Sequence, residues 1–481
     1  MIVAHNRISA LSSPMPKTQA TANTSHGHSA ESGFAYSQER FRELVDEVLA
    51  EAKRLGASDA GAEVSEGCGL SVSVRRGALE NVERNRDKSL GISVYLGQRR
   101  GNASTSDFSA QALKDTVRAA FDIARFTAED PVAGLPDAED LSLDPSTRPA
   151  LDLFHPWAID AHAAAEMAMR CEDAAMFTDK RITNSEGAAV SAQQSHFVAG
   201  NSRGFRGGYA SSRHSLSVAP IAGRGAGMQR DAWYSSMRDA EDLAAPEAIG
   251  RYAAERALSR LKARKVKTAE VPVLFESTVA AGLLGALVQA TSGGALYRKA
   301  SFLLDSLGKP VLASHVDVSE DPHELKGKGS APFDDEGVKT QARSVVDAGV
   351  LQGYFLSTYS ARKLGLRTTG HAGGSHNLHM TSRLTAPGDD LTTMLRRLGR
   401  GLFVTELMGQ GVNYVTGDYS RGASGYWVEN GEIAFPVHEV TIAGNLPQMF
   451  HDIVGIGTDA YTLGTKTVGS ILIARMKLAG S

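Results

Sequence analysis

The apolar positions along the chain follow two spacings, one typical of helices and one typical of strands. From Ser37 onward, apolar residues recur every three or four positions as far as Leu55, and Gly56 follows them. Serine is favoured just before the first turn of a helix and glycine just after the last. The pattern therefore predicts a helix that begins after Ser37 and ends before Gly56. The same spacing predicts further helices over 110–126, 159–175 and 248–263.

A spacing of two marks the predicted strands of the N-terminal part. Leu70, Val72 and Val74 alternate with polar residues, and the apolar positions of 90–96 do the same before the turn-like GQRRGN at 97–102. Strict alternation indicates half-buried strands of an antiparallel sheet. A Pro- and Asp-rich connection is predicted over 130–149, and glycine-rich strands over 181–240.

After the predicted strand EVPVLF at 270–275, the pattern changes mainly to strands and glycine turns. We expect an α+β fold with an N-terminal helix-and-sheet domain over 37–245 and a C-terminal domain rich in antiparallel β-sheet over 246–481. Residues 1–36, rich in Ser, Thr, Ala and His, are predicted to be a disordered lead-in, and methionines at 1 and 15 leave two candidate starts.

Charge and composition narrow the function classes. The chain has 51 basic and 54 acidic side chains and a formal charge of -3, so it offers no basic face for nucleic acid. Its longest apolar stretches are interrupted by glycine and are shorter than the ~20 residues that span a bilayer, so no membrane partner is expected. Two cysteines and no apparent secretory signal favour the cytoplasm.

Several short motifs predict structure rather than chemistry. GRGAG at 223–227 lacks the strand, helix and acidic residue of a dinucleotide site and is interpreted as a turn. RGASGYW at 421–427 places Ser424 among glycines without the hydrolase elbow pattern, and is also interpreted as a turn. Cys68, in a predicted turn, and Cys171, in a predicted helix, have no paired base and are expected to be packing residues.

Histidines supply the one serious metal candidate. HAGGSHNLH places His371, His376 and His379 within nine residues, but no acidic residue or cysteine stands beside them in sequence. We favour a structural or substrate-contact role, with a metal site as the alternative. His438, predicted to end the strand EIAFPV, and His451 each precede an acidic residue but have no second histidine at a suitable spacing.

Three C-terminal stretches resemble the TldD/PmbA metallopeptidase family, and specifically its PmbA (TldE) branch. They are YSARKLGLRTTGHAGGSHNL at 359–378, LMGQGVNYVTGDYSRGASGYWVENGEIAFPVHEVTIAGNL at 407–446, and GSILIARMKLAG near the C-terminus. The strands around SVRRGALENVERN and GISVYLGQRRGNASTSD are similar more loosely. The resemblance covers nearly the whole chain after about residue 38.

The resemblance implies that this branch has lost its metal site. In the TldD branch, a helix after a strand like EVPVLF carries an H-E-x-x-x-H motif that binds zinc together with a C-terminal cysteine. Here Gly285 and Ala290 stand in the histidine positions, Ala286 replaces the glutamate, and the tail has no cysteine. Because these side chains have no donor atom, no cofactor is expected in this chain.

The resemblance further implies a zinc-less subunit of a cytoplasmic heteromeric metallopeptidase that degrades or matures unfolded and short peptides. A TldD-like partner would supply the zinc, and this chain alone is expected to be inactive. The residues expected at the partner or peptide surface are Arg298, His371, Asn377, Asn413, Thr416 and Asp418. Two alternatives stay open: an autonomous metalloenzyme that uses the three clustered histidines, and a non-enzymatic peptide-binding or regulatory homodimer.

Overall fold

The computed structural model describes residues 33–480, and the first part of the predicted lead-in lies outside them. Residues 33–36 belong to the folded structure, contrary to the prediction of disorder up to residue 36. The backbone N–H of Ala35 donates to the Glu66 carboxylate at 2.9 Å, and the Phe34 ring stacks on His196 with centroids 4.1 Å apart. The folded part therefore includes residues ahead of the predicted start at Ser37.

From residue 33 onward, the N-terminal half contains four helices and one sheet, with short 3₁₀ turns between them. Ser37 caps the first helix as predicted, by accepting a hydrogen bond from the N–H of Arg40, and Gly56 closes it at a φ of 98°. The elements in chain order are α1 (Gln38–Leu55), β1 (Asp59–Arg75), β2 (Ala78–Leu96), β3 (Arg99–Thr105), α2 (Ala110–Phe126), α3 (Ala161–Met176), β4 (Ile182–Asn201), β5 (Arg206–Gly207), β6 (Ala210–Ala222), β7 (Gln229–Arg230), β8 (Trp233–Met237) and α4 (Pro246–Ser259).

The N-terminal sheet is antiparallel throughout, in the order β3-β2-β1-β4-β6-β7, with β5 paired to β4 and β8 to β6. All four helices pack on one face, because the alternate residues of β1 that face them are apolar. Ala62 and Val64 contact the α1 and α2 layer, whereas Val72 and Val74 contact α3 and α4. Ile249 of α4 is fully buried there, so the boundary predicted at residue 245 is placed too early.

The C-terminal half contains the remaining five helices and twelve strands of the described residues. Its elements in chain order are β9 (Ala269–Phe275), α5 (Ser277–Ala290), α6 (Gly293–Tyr297), β10 (Val316–Asp321), β11 (Arg343–Asp347), β12 (Val350–Leu351), α7 (Thr358–Lys363), β13 (Asn377–Ser382), α8 (Leu391–Leu398), β14 (Gly401–Met408), β15 (Asp418–Glu429), β16 (Glu432–Asn445), α9 (Leu446–His451), β17 (Ile453–Ile456), β18 (Tyr461–Leu463), β19 (Lys466–Val468) and β20 (Ile471–Ala479).

Two sheets share the C-terminal core. One has the order β12-β11-β10-β13-β19-β18, and the other the order β16-β15-β14-β9-β20-β17. In the second sheet β16 also pairs with β20, which closes five strands into a ring. Most pairs are antiparallel, as predicted, whereas β13–β19 and β14–β9 are parallel. The α+β class is confirmed.

Two predicted turns are strands, because their glycines serve close packing. In GQRRGN only Gly97 and Gln98 form the turn, and β3 begins at once. A Cβ on Gly101 would lie 2.0 Å from the carbonyl oxygen of Ala120 in α2, so glycine lets that helix approach the strand. In RGASGYW, a Cβ on Gly425 would lie 1.9 Å from the carbonyl oxygen of Phe403.

Of the other local predictions, some are confirmed and some are wrong. GRGAG forms the predicted turn, a short 3₁₀ segment between β6 and β7. Cys171 lies on a helix as predicted, but Cys68 lies within β1 rather than in a turn. His438 does not end its strand, because β16 continues to Asn445 through Glu439, whose φ is 52°. Within 33–480, no helix combines the length and apolar character of a membrane span.

Candidate functional site

Helix α5 occupies the position at which the resemblance places the lost metal motif. It begins directly after β9, as predicted, and its leucines enter the main C-terminal core. Ala286 and Ala290 are buried, and Gly285 is half-buried. None of these three side chains has a nitrogen, oxygen or sulfur atom with which to bind zinc. The residues present on this helix therefore do not fit the metal of the TldD branch.

A lysine that no sequence motif marks lies against this helix. A Cβ built on Gly285 would be 3.6 Å from Cε of Lys466, the first residue of β19. Partial burial lowers the pKa of Lys466, and its ammonium makes no ion pair in the described part of the chain. A protonated ammonium beside Gly285 repels a metal cation, which adds to the missing donors. No sequence signal links Lys466 to α5, because Lys466 lies 181 positions after Gly285.

A chain of ion pairs joins the start of α5 to the N-terminal half. Nη1 of Arg256 on α4 lies 2.8 Å from Glu276, and its Nε lies 3.3 Å from Asp231. Arg260 continues the chain from Asp231 to Glu406 on β14. Burial alone would lower the pKa of Arg256, but the two carboxylates raise it well above its usual value. Charge pairing therefore fixes how the two halves meet beside α5.

His371 belongs to a buried hydrogen-bonded cluster rather than to an open site. Its Nε2 lies 2.9 Å from the Glu320 carboxylate, and its Nδ1 lies 2.9 Å from the Thr369 hydroxyl. Arg343 donates to the same carboxylate at 2.8 Å, and the backbone N–H of His376 donates to its other oxygen at 2.7 Å. Burial would raise the pKa of Glu320, but His371 and Arg343 outweigh it and lower this pKa to about 2.

The other two histidines have partners of their own. Both ring nitrogens of His376 face backbone carbonyls, those of Gly329 and Gly370, each at 3.1 Å. His379 lies on β13 and pairs with Glu324. Over residues 33–480, no three His, Cys, Asp or Glu side chains are grouped so as to hold a metal. The geometry favours the structural role for these histidines over the metal alternative.

The six residues predicted at the partner or peptide surface separate into two groups. His371 and Asn377 are buried, contrary to that prediction. Asn377 accepts from the N–H of Gly329 at 2.7 Å and donates to the Asp321 carbonyl at 2.8 Å, so it fixes the loop before β11. Four are exposed: Arg298, Asn413, Thr416 and Asp418.

The exposed group lies on one side of the C-terminal half. Asn413 accepts from the N–H of Val415 at 2.9 Å, and the Thr416 hydroxyl donates to Asp418 at 2.7 Å. The N–H of Phe302 donates to the Tyr414 carbonyl at 2.7 Å, which brings the Arg298 segment next to this loop. The polar residues shape the loop and still present their outer faces to solvent.

Ser424 and the two cysteines have no activating neighbour within the described part of the chain. Ser424 is buried within β15, and Cys171 is buried on α3, where burial raises the pKa of its thiol to about 12. The Cys68 thiol lies 3.4 Å from the Gln194 amide nitrogen, and no His, Asp or Glu of residues 33–480 is hydrogen-bonded to it. These contacts fit the packing roles that the sequence predicts for the cysteines.

Comparison with known proteins agrees with this architecture. Residues 62–124, 154–261 and 268–480 match the models for domain 1, the central domain and the C-terminal domain of the PmbA/TldA metallopeptidases. Metalloprotease PmbA of Escherichia coli O157:H7 is 50% identical over 443 residues, which cover 91% of this chain and 97% of that protein. The Haemophilus influenzae PmbA homolog is 46% identical over 444 residues, 92% of this chain and 97% of that protein.

A solved structure extends the agreement to the fold. TldE from Thermococcus kodakarensis superposes with a TM-score of 0.78 at 19% identity, covering 91% of this chain and all of that one. Three successive domain models of this family match the chain, and its sequence is 50% identical to PmbA over most of both proteins. The chain belongs to the TldD/PmbA family of metalloproteases, in its PmbA branch.

Proposed function

We propose that this chain is the zinc-less subunit of a heteromeric TldD/PmbA-type metallopeptidase that degrades or matures unfolded and short peptides. A TldD-like partner supplies the catalytic zinc, and this chain completes the peptide-binding surface. The observation that carries the proposal is the donor-free face of α5. Gly285, Ala286 and Ala290 cannot hold the metal, and the Lys466 side chain lies against the first of them.

Strand β18 suggests how a peptide would be held beside α5. It is the last strand of its sheet, and β19 is its one partner among the strands described. An extended peptide that adds to this edge would bind through backbone hydrogen bonds, which place little demand on its sequence. Such a mode suits unfolded and short peptides as substrates.

The exposed group Arg298, Asn413, Thr416 and Asp418 is the surface we propose for the partner. Asn413, Thr416 and Asp418 lie within one of the family-like stretches, in the loop before β15 and at its first residue. Arg298 follows α6 in the neighbouring segment, and all four side chains are exposed. His371 and Asn377 are left out of this surface, because their side chains are buried and hydrogen-bonded within the chain.

Reconstitution after separate chelation tests the proposal. This chain and a TldD-like partner are each treated with 1,10-phenanthroline, desalted and mixed with the untreated other subunit, and cleavage of a short peptide is followed by mass spectrometry. We expect cleavage to survive stripping of this chain and to be lost on stripping of the partner, because the metal belongs to the partner. Each subunit assayed alone is the control. Cleavage by this chain alone, abolished by chelation, would overturn the proposal.

A further inference from the structure

Three basic side chains meet where the N-terminal sheet contacts the loop between β10 and β11. They are Arg213 on β6, Arg238 just after β8, and Lys328 in the loop, and we call them the cationic cluster. Nη2 of Arg213 and Nη2 of Arg238 donate to the same backbone carbonyl, that of Lys328, at 3.3 and 3.2 Å. Nε of Arg238 donates to the carbonyl of Gly327 at 2.9 Å. The Lys328 carbonyl therefore holds the two guanidinium groups close together, and the positive charge of Arg213 acts on both Arg238 and the Lys328 ammonium.

The cationic cluster forms no ion pair with any carboxylate of residues 33–480. Its neighbour Lys326 shows the usual arrangement, with Nζ 2.7 Å from Asp239. Arg238 is only 8% exposed, and the other two are half-buried. Burial and the nearby Arg213 lower the pKa of Arg238 to about 10, and the same two causes lower that of Lys328. Buried charges without a partner are costly, so the cluster calls for an anion.

The cluster has donors to spare for that anion. The Lys328 ammonium donates no hydrogen bond to a residue in the described part of the chain, and Arg213 uses one of its five N–H groups. A guanidinium and an ammonium at one place match the two oxygens of a carboxylate. The site is thus built for a small oxyanion and lacks one within the folded chain.

Two tyrosines connect the cluster to the surface beside α5. Tyr234 on β8 is hydrogen-bonded to Tyr461 and lies near Arg213. Burial raises the pKa of Tyr234, and these two neighbours partly offset the increase. Tyr461 begins β18, the proposed peptide-binding edge, and its ring lies 5.5 Å from that of Trp233. The cationic cluster, the tyrosines and the edge of β18 consequently follow one another along the junction of the two halves.

We propose that the cationic cluster binds a carboxylate of the peptide substrate, so that the complex prefers acidic peptides. The inference rests on the proposed function, which supplies the peptide. A side-chain or C-terminal carboxylate of a strand paired with β18 would replace the water around Arg213 and Lys328, and would remove the repulsion among three like charges. Charge-assisted hydrogen bonds of this kind contribute about 1.5–3 kcal/mol, which is roughly ten- to a hundredfold in affinity.

Binding of matched peptides tests the inference on the full chain. The probes are a fluorescein-labelled peptide of alternating alanine and glutamate and its glutamine counterpart, measured by fluorescence anisotropy at low salt. We expect the acidic peptide to bind at least about tenfold more tightly. Lys328→Gln and Arg213→Gln should each remove most of this preference. Arg224→Gln, which changes an exposed arginine elsewhere, should leave it intact. Equal binding of both peptides, or a preference that survives both cluster variants, would overturn the inference.

A second measurement uses the wild-type chain and therefore does not depend on whether the variants fold. Trace acetylation of the wild-type chain with acetic anhydride, read by peptide mass spectrometry, should show Lys328 protected by the acidic peptide and not by its glutamine counterpart. Protection by inorganic phosphate alone would assign the site to free phosphate and overturn the peptide inference. Failure here, with zinc-dependent cleavage intact in the reconstituted complex, leaves the proposed function standing. A preference for the acidic peptide, without any cleavage by the reconstituted complex, would support the anion site and contradict the proposed peptidase function.

Discussion

At the scale of single residues, Glu320 organises the histidine-rich segment 371–379, which is the candidate metal site of the sequence. Its fully buried carboxylate is hydrogen-bonded to the side chains of Arg343 and His371 and accepts from the backbone N–H of His376. The sequence shows the histidines but not this partner, because Glu320 lies 51 positions before His371. Antiparallel pairing of β10 with β13 brings the two regions together, and no local pattern announces that pairing.

Removal of the Glu320 charge should destabilise the fold strongly. Glu320→Gln leaves the largely buried Arg343 without its carboxylate, and we expect a loss of about 3 kcal/mol in the free energy of unfolding. Glu324→Gln is the matched control, because its partner His379 is half-exposed and the pair is worth ~0.5 kcal/mol or less. Urea denaturation followed by tryptophan fluorescence measures both. Similar losses in the two variants would contradict the role assigned to Glu320.

Acidification should reveal the same carboxylate. The folded pKa of Glu320 is lowered from 4.5 to about 2, so its ionised form favours folding. Its contribution is present above the unfolded pKa and is lost as the pH falls toward the folded one. The stability gap between wild type and Glu320→Gln should therefore be full near neutral pH and shrink through this acidic window. A gap that stays constant down to about pH 3 would exclude the lowered pKa.

At the scale of elements, the long helices were predicted well, whereas the short helices α6 to α9 and the glycine-rich segments were not. Capping residues and apolar spacing are local, and they place α1 and α2 to within a residue. Glycine has two uses, positive φ at turns and close approach of backbones, and a single sequence does not separate them. GRGAG has the first use, whereas RGASGYW has the second, with Gly425 packed against Phe403. The second use depends on a neighbouring element that is distant in sequence.

A pair of glycine substitutions tests this distinction. A Cβ on Gly101 would meet the α2 backbone at the Ala120 carbonyl, 2.0 Å away, whereas a Cβ on Gly91 of β2 would meet nothing within 4 Å. We expect Gly101→Ala to cost about 2–3 kcal/mol, because helix and strand must move apart. Gly91→Ala should change stability by less than ~1 kcal/mol. Chemical denaturation of both variants decides the matter, and equal losses would argue against close helix packing at Gly101.

At the scale of the whole molecule, the junction of the two halves carries most of what the sequence alone did not predict. The Arg256–Glu276 pair and the cationic cluster both lie there, and the cluster joins Arg213 to Lys328, 115 positions later in the chain. The α+β class was predictable because it follows from local patterns, and family membership because the stretches carrying it are distinctive. The boundary after α4 was not, since an amphipathic helix does not reveal which neighbouring sheet buries it.

Elemental mass spectrometry of the full chain, purified alone without a histidine tag or added chelator, tests the central claim most directly. The account predicts zinc near zero per chain, because the α5 face has no donor atoms and the three histidines already have partners. About one tightly bound zinc per chain, lost when His371, His376 and His379 are together changed to alanine, would contradict it. The chain would then be a metalloprotein in its own right.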